Sequence, residues 1–490
     1  MQGTLVEKNL PVGDKQRADA GTGGRRSGWG IAAIIALPAL ILAATGVARY
    51  LHGRSNIDLI VFDQGIWALS RGQAPWSSVI QETLLEDHFG PGLLGFAFLY
   101  RIAATPIWLI AGQAVAAASA AWLIARRLSP SLGRTRAGLL GAALLVSPPV
   151  AYALLFDFHP VVMAIPFAVA GIFALEDGCP RRALAFGLLA ALFRVEVGVA
   201  VAAAFAIWPG PRRGRLSAGL VLSAYLAVAL YFEKALGHDV YWPIHYGHLG
   251  DSPMDALQHP WRLASQILSP ASLGKALPWL ATGAFLALRR PRLLIPAGIL
   301  ALPVLLSRWP GTGGIVYQYG LAPTFLLALA WVPAIRQRPQ RAPLILVASL
   351  LLTALLGPFG PGLSSDNSMQ GFLGQYWSPK PEVSCVGTGI PADAVVSGSQ
   401  PISLLAHRSG LYMWPYPFGA APKGVLPADY LGEANHRHAA TVDYVIVSRE
   451  EAAAVPSGFV PDGGGERYLR FRRAMTTTAH PVTCGKGAGS

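Results

Sequence analysis

Charge is what this chain has least of. Only 13% of its 490 residues are Asp, Glu, Lys or Arg, against 53% hydrophobic. Soluble domains carry about 25% charged residues. A surface this poor in charge cannot all face water, which excludes a soluble globular protein and points to one bounded largely by lipid. Cysteine is scarce too: Cys179, Cys385 and Cys484 are too few for a disulfide scaffold. Basic helices and aromatic platforms are missing, so the net charge of +13 does not read as nucleic-acid binding. No internal repeat of useful period is present.

The charges that remain are sorted. Arginine gathers in five short loops: 126–136, 181–182, 212–215, 289–292 and 336–341. Short basic loops stay cytoplasmic, and this bias explains the net charge. Acids, histidines and aromatics gather in the opposite set: Asp58, Asp63, Glu86, Asp87 and His88; Asp157 and His159; His238, Asp239, Trp242, His245, Tyr246 and His248. This second set is expected on the outer face of the membrane.

Residues 1–28 are polar and Gly-rich and read as a disordered cytoplasmic tail. Arg25-Arg26 lacks the residues that would make it a twin-arginine signal. Nine apolar segments follow as crossing candidates: 31–50, 105–125, 137–156, 160–176, 216–233, 273–288, 292–307, 315–335 and 342–358. A crossing helix needs about 20 residues, and several of these are short. Residues 89–101 are shorter still and are assigned to the interface. Residues 183–208 are apolar but interrupted by Arg194 and Glu196, with arginine at both flanks. A re-entrant helical hairpin with Arg194-Val195-Glu196 at its tip satisfies both features. The membrane region is therefore 29–360. Beyond 361 Gly, Pro and Ser increase and apolar runs shorten, which predicts a small extracytoplasmic α/β domain over 361–490. Its expected elements are strands at 394–397, 443–448 and 468–471 and a short helix at 402–407. Outside is oxidising, so Cys385 and Cys484 either pair or stand as two buried thiols.

Asp58 follows the first crossing and is expected near the headgroup plane. There a carboxylate takes a proton from an acceptor hydroxyl or helps hold a cation near a phosphate; the plainer reading is a helix cap. The surrounding run 56–69 is mildly amphipathic and is expected to lie along the membrane surface. Asp63, five residues on, points roughly 140° away on a helix. Asp87 and His88 precede an apolar segment, where Asp also suits a cap. Asp157 and His159 flank Phe158 in a tight outer turn; two ligands do not make a metal site, and proton transfer or phosphate contact fits them better. Arg194 and Glu196 are either functional intramembrane charges or a mutual salt bridge pinning the turn. His245 and His248, three apart, would share a helix face in an aromatic run suited to stacking on sugars or to the membrane interface. Tyr319 opens a late crossing and could line a pocket.

Taken together, Asp58-Leu59, Asp63-Gln64, Trp67-Ala68-Leu69, Asp87-His88-Phe89 and Phe156-Asp157-Phe158-His159-Pro160 resemble the bacterial family DUF2079 over roughly residues 45–450. That family usually carries Lys-Glu-Asp where this chain has Arg194-Val195-Glu196, and His-Tyr where it has Gln318-Tyr319. Its layout is similar to the GT-C glycosyltransferases, membrane enzymes that use polyprenyl-phosphate-linked sugars. The resemblance implies a catalytic role for Asp58 and a place for Arg194 near the lipid phosphate. The residues themselves add His159, oriented by Asp157, to the catalytic set, and make Asp63, Asp87, His88, Glu196, His245, His248 and Tyr319 candidate substrate contacts beside Arg194. Membrane lipids and a polyprenyl-phosphate sugar donor are the expected partners, and a divalent cation is left open as cofactor. Two other classes compete: a secondary transporter, which needs ionisable groups at mid-membrane and often paired halves, and a non-catalytic envelope scaffold.

Overall fold

The computed structural model describes residues 20–55, 57–209, 212–236, 241–309, 312, 317–358, 381–399, 402–418, 441–475 and 482–484. The chain is a helical bundle joined to a C-terminal sheet. Helix α1 (Ala20–Leu51) packs on α3 (Ile107–Leu132) and α4 (Arg134–Val146). It opens within the span expected to be a polar tail, and residues 1–19 lie outside the described set. Between α1 and α3 runs α2 (Ile57–Ser70). The buried face of α3 carries Ala114, Ala117, Ala121 and Ala125. Small side chains at this spacing let backbones approach closely, which matters where lipid removes the hydrophobic drive between helices.

Among the described residues, five helices are long and apolar enough to cross a membrane: Trp29–Leu51, Ile107–Leu132, Arg212–Glu233, Gln318–Gln337 and Pro339–Leu356. A sixth forms if α4 and α5 (Pro148–Phe156), bent by 56°, count as one. The bend has a local cause, because Pro148-Pro149 cannot continue the hydrogen-bond ladder of α4 and Pro disfavours a helical residue before it. The expected crossings at 160–176 and 292–307 are helices, α6 (Pro160–Glu176) and α11 (Pro291–Leu306), but shorter than a full span. The expected crossing at 273–288 is not one helix. The chain leaves α10 (Pro270–Thr282), passes through Ala284 and Phe285 at positive φ (49° and 58°), and resumes as a 3-10 turn. Residues 91–102 form a short helical segment, too brief to cross.

The interrupted segment is a helix pair, as its charges suggested. α7 (Pro180–Phe193) and α8 (Val195–Ile207) pack on each other about an extended Arg194 (φ −156°, ψ 115°). α9 (Arg212–Leu236) follows beside α8. At about 1.5 Å per residue, the 14 residues of α7 carry Arg194 roughly 21 Å from the basic pair Arg181-Arg182.

That basic pair belongs to one end of the bundle. Arg127 forks onto Asp177 and holds its carboxyl below the usual range. Arg336 and Arg182 also act on Asp177, and Arg127, Arg336 and Arg290 act on Glu176. Four of the five arginine loops are thus drawn to the end of α6 opposite His159. The 17 residues of α6 separate the two ends by about 26 Å.

After α2, β1 (Trp76–Ser77) pairs antiparallel with β2 (Glu82–Thr83). Among the described residues the C-terminal sheet has six strands: β3 (Val396–Gly398), β4 (Leu411–Met413), β5 (Tyr444–Ser448), β6 (Phe459–Gly464), β7 (Tyr468–Arg473) and β8 (Val482–Thr483), in the order β4-β3-β5-β7-β6-β8. β3 is parallel to β4 and β5, and β7 is antiparallel to β5 and β6. The expected strands at 394–397, 443–448 and 468–471 correspond to β3, β5 and β7, and the expected helix is a 3-10 turn at Ile402–Leu405. β4, β6 and β8 were not anticipated. Cys385 and Cys484 are disulfide-bonded, which decides between the two readings of these thiols. The domain boundary expected at 360 falls outside the described residues.

Candidate active site

α2 is buried within protein rather than exposed along one face. Every residue from Leu59 to Ile66 is buried, since the bundle covers one side and the C-terminal sheet the other. Its N-terminus is fixed by Asp157. The Leu59 amide reaches Asp157 Oδ2 at 3.4 Å, and a carboxylate there also complements the helix dipole. Arg49, at the end of α1, donates through Nη1 to Asp157 Oδ1 (3.2 Å) and to the Leu155 carbonyl (2.6 Å). Its guanidinium also lies over the Phe156 ring at 5.5 Å. Gln113 of α3 completes the cradle, donating to the carbonyl of Asp157 (2.9 Å) and accepting from the His159 amide (3.3 Å).

Two of the predicted residues therefore meet, though not as predicted. His159 Nε2 stands 3.3 Å from Asp58 Oδ2, with the imidazole 6% and the carboxylate 37% exposed. Asp58 is thus the carboxylate on this ring nitrogen, whereas Asp157 is engaged by Arg49 and the start of α2. The Phe156 ring stacks on His159 at 5.7 Å, and His159 Nδ1 is buried without a hydrogen-bond partner. A polar atom left in that condition is costly unless something else supplies a partner.

Other predicted residues approach the same region. Tyr319 lies within electrostatic reach of Asp58, Arg194, Tyr246 and Tyr317. Arg194 Nε pairs with Glu196 Oε2 at 2.8 Å, so the mutual salt bridge exists. Glu196 is also within reach of His88, and Tyr246 within reach of Glu196; burial and that carboxylate push the Tyr246 hydroxyl up to about 12. His88 Nδ1 faces Glu233 of α9 at 4.0 Å and its Nε2 faces Asp87 at 3.8 Å. Asp87 does not cap the apolar segment after it. It ends the helix Leu84–Asp87, which Thr83 and Glu86 close with a capping box.

The backbone brings the Arg194 turn here by close contact. A Cβ at Gly92 would stand 3.0 Å from the Leu192 carbonyl oxygen, so a larger residue would push the 91–95 turn away from the last turn of α7.

Other predicted residues go elsewhere. Asp63 is 2% exposed and faces the C-terminal domain: Tyr100 Oη donates to its Oδ1 (2.7 Å), and His407 Nε2 stands 2.8 Å from the same oxygen. His245 and His248 do not share a helix, because the helix Tyr241–Tyr246 stops between them. His245 Nδ1 meets Ser307 Oγ at 3.0 Å, and burial lowers its imidazole below the ordinary value. His248 is lowered by burial and then by Arg308. Among the described residues no group of three or more His, Cys, Asp or Glu side chains could hold a metal ion. Sequence reasoning missed Arg49, Gln113 and Glu233. A lone Arg and a lone Gln inside apolar segments were visible signals for the first two.

Among solved structures, the chain is similar to ArnT from Cupriavidus metallidurans bound to undecaprenyl phosphate, at TM-score 0.53 and 12% identity, covering 91% of this chain and 98% of that one. The apo ArnT structure gives 0.47 at 12% identity over 88% and 97%. An Archaeoglobus fulgidus oligosaccharyltransferase gives 0.41 at 12% over 84% and 68%. At such identity the first likeness speaks for a shared fold alone. No curated protein matches the chain. The family described as "Predicted membrane protein (DUF2079)" matches residues 54–457, and the chain belongs to it.

Proposed function

We propose that this protein is a membrane glycosyltransferase that moves a sugar from a polyprenyl-phosphate donor to an acceptor hydroxyl on the outer face. The acceptor oxygen attacks the anomeric carbon, and the bond from that carbon to the phosphate oxygen breaks. The hydroxyl proton passes to Asp58, the general base. The departing polyprenyl phosphate gains one negative charge, which Arg194 stabilises more strongly than it does the donor. His159 Nε2–H holds the Asp58 carboxylate in place. Tyr319 stands within electrostatic reach of Asp58 and Arg194, and Glu196 pairs with Arg194.

The observation that carries this reading is the meeting of Asp58 and His159 at 3.3 Å, with Tyr319 in reach of both Asp58 and Arg194. They lie at the end of α6 away from the arginine loops, in a fold similar to that of ArnT bound to undecaprenyl phosphate. The test is transfer of labelled sugar from polyprenyl phosphate by the purified protein in lipid discs. Asp58→Ala and Arg194→Ala are expected to abolish it while still inserting in the membrane. Wild-type activity in both variants removes the mechanism. Accumulation of free labelled solute inside vesicles without covalent product would make the protein a transporter instead.

A further inference from the structure

α2 carries Asp58 in its first turn and Asp63 five residues on, about 7.5 Å along the axis. The helix is gripped at this second point by the C-terminal domain. Asp63 shares its Oδ1 between Tyr100 of the bundle and His407 of the C-terminal domain. Trp67, one turn further, lies flat on the His407 ring at 5.6 Å with 3° between planes. Gln64 Nε2 donates to the Arg408 carbonyl at 2.7 Å, and its Oε1 accepts from the Ser78 amide at 2.8 Å. Ser78 Oγ in turn bonds the backbone of Leu411, at the start of β4.

A passive tether would not need such a contact set. A carboxylate as buried as Asp63 is tolerated only with partners in one geometry, and the bonds of Gln64 and the stacked Trp67 fix rotation as well as height. A helix is stiff over five residues, so any shift at Asp63 is carried to Asp58. We propose that the C-terminal domain is a positioning part of the active site: His407, through Asp63, sets how α2 presents Asp58 to His159. The chemical consequence rests on the proposed transferase reading; the mechanical coupling does not.

The test uses the full chain in lipid discs with His407→Ala, His407→Gln and Asp63→Asn. Glutamine keeps an N–H that can reach Asp63. In His407→Ala, hydrogen exchange of amides 59–66 is expected to rise at least about tenfold, while β5 and β7 exchange as in wild type. His407→Gln should restore most of the protection. Asp63→Asn, which alters the bundle side of the same contact, should reproduce the rise without touching the sheet. In the transfer assay His407→Ala should lower kcat at least about tenfold with the donor KM unchanged, since misplacing a catalytic group by an ångström costs about that or more. Unchanged exchange over 59–66 in both His407→Ala and Asp63→Asn overturns the proposal, as does unchanged kcat. Coupled exchange in a wild type that transfers no sugar sinks the transferase reading and keeps the coupling.

Discussion

Replacing Arg49 by methionine probes the physical basis of the site without touching substrate. Arg49 and Asp157 are both largely buried, and their bond is one of three that hold the 155–159 turn to α1 and α2. Methionine keeps most of the side-chain volume but leaves the Asp157 carboxylate without this cation. Breaking one side of a buried ion pair costs about 3–5 kcal/mol. Because the Leu59 amide still faces Asp157, the lower figure, about 3 kcal/mol, is expected. Asp157→Asn added to Arg49→Met removes the surplus charge and should recover a large part of that loss, a coupling of about 1–3 kcal/mol. Unfolding in lipid discs measures the three variants. Transfer assays should show Arg49→Met losing roughly a hundredfold in kcat, because the turn also carries His159. If the double variant loses as much stability as the two single losses summed, Asp157 and Arg49 do not act as a pair, and this account of how the turn is held is wrong.

Gly92→Ala should weaken the protein by about 1–3 kcal/mol and displace the Arg194 turn, because the new Cβ meets a backbone carbonyl at 3.0 Å; wild-type stability and donor binding would contradict this. Cys385→Ser opens a cross-link between residues 99 apart. It should cost about 5 kcal/mol by loop entropy, read as faster proteolysis of the C-terminal sheet with the bundle intact. The segment 241–249 should loosen on acidification. Burial holds His245 and His248 below the ordinary imidazole value, so their contribution to stability is complete above about pH 6.5 and falls as pH drops from there through the folded values. Hydrogen exchange of this segment at pH 7 and pH 5, corrected for intrinsic rates, checks it, and His245→Asn with His248→Asn should flatten the difference.

The parts of this molecule that follow from local composition were legible in the sequence. Sorting arginine from acid and histidine located the two ends of the bundle, and the charges at Arg194 and Glu196 located the break between α7 and α8. Asp58 and His159 stood out because polar groups beside apolar runs are expensive. What failed were pairings between distant positions. Asp157 was matched to its near neighbour His159, whereas the cation that fixes it, Arg49, lies 108 residues away. Asp63 looked like a substrate contact because its partner His407 is 344 residues away, in a domain whose role had no local signature. The burial of α2 was invisible for the same reason. Its exposed-looking residues Asp63, Gln64 and Trp67 are covered by the C-terminal sheet, and no periodicity within 56–69 encodes that cover. Helix extent was misjudged where apolar composition outran helix length, most plainly at 273–288, where Ala284 and Phe285 turn the chain.

The most direct test is to determine the structure of the protein with an added polyprenyl phosphate and find the headgroup. It should lie within hydrogen-bond reach of Arg194, about 3 Å, on the side that Asp58 and His159 face. A headgroup bound among the arginine loops at the opposite end of α6, with the Arg194 side empty, would contradict the account.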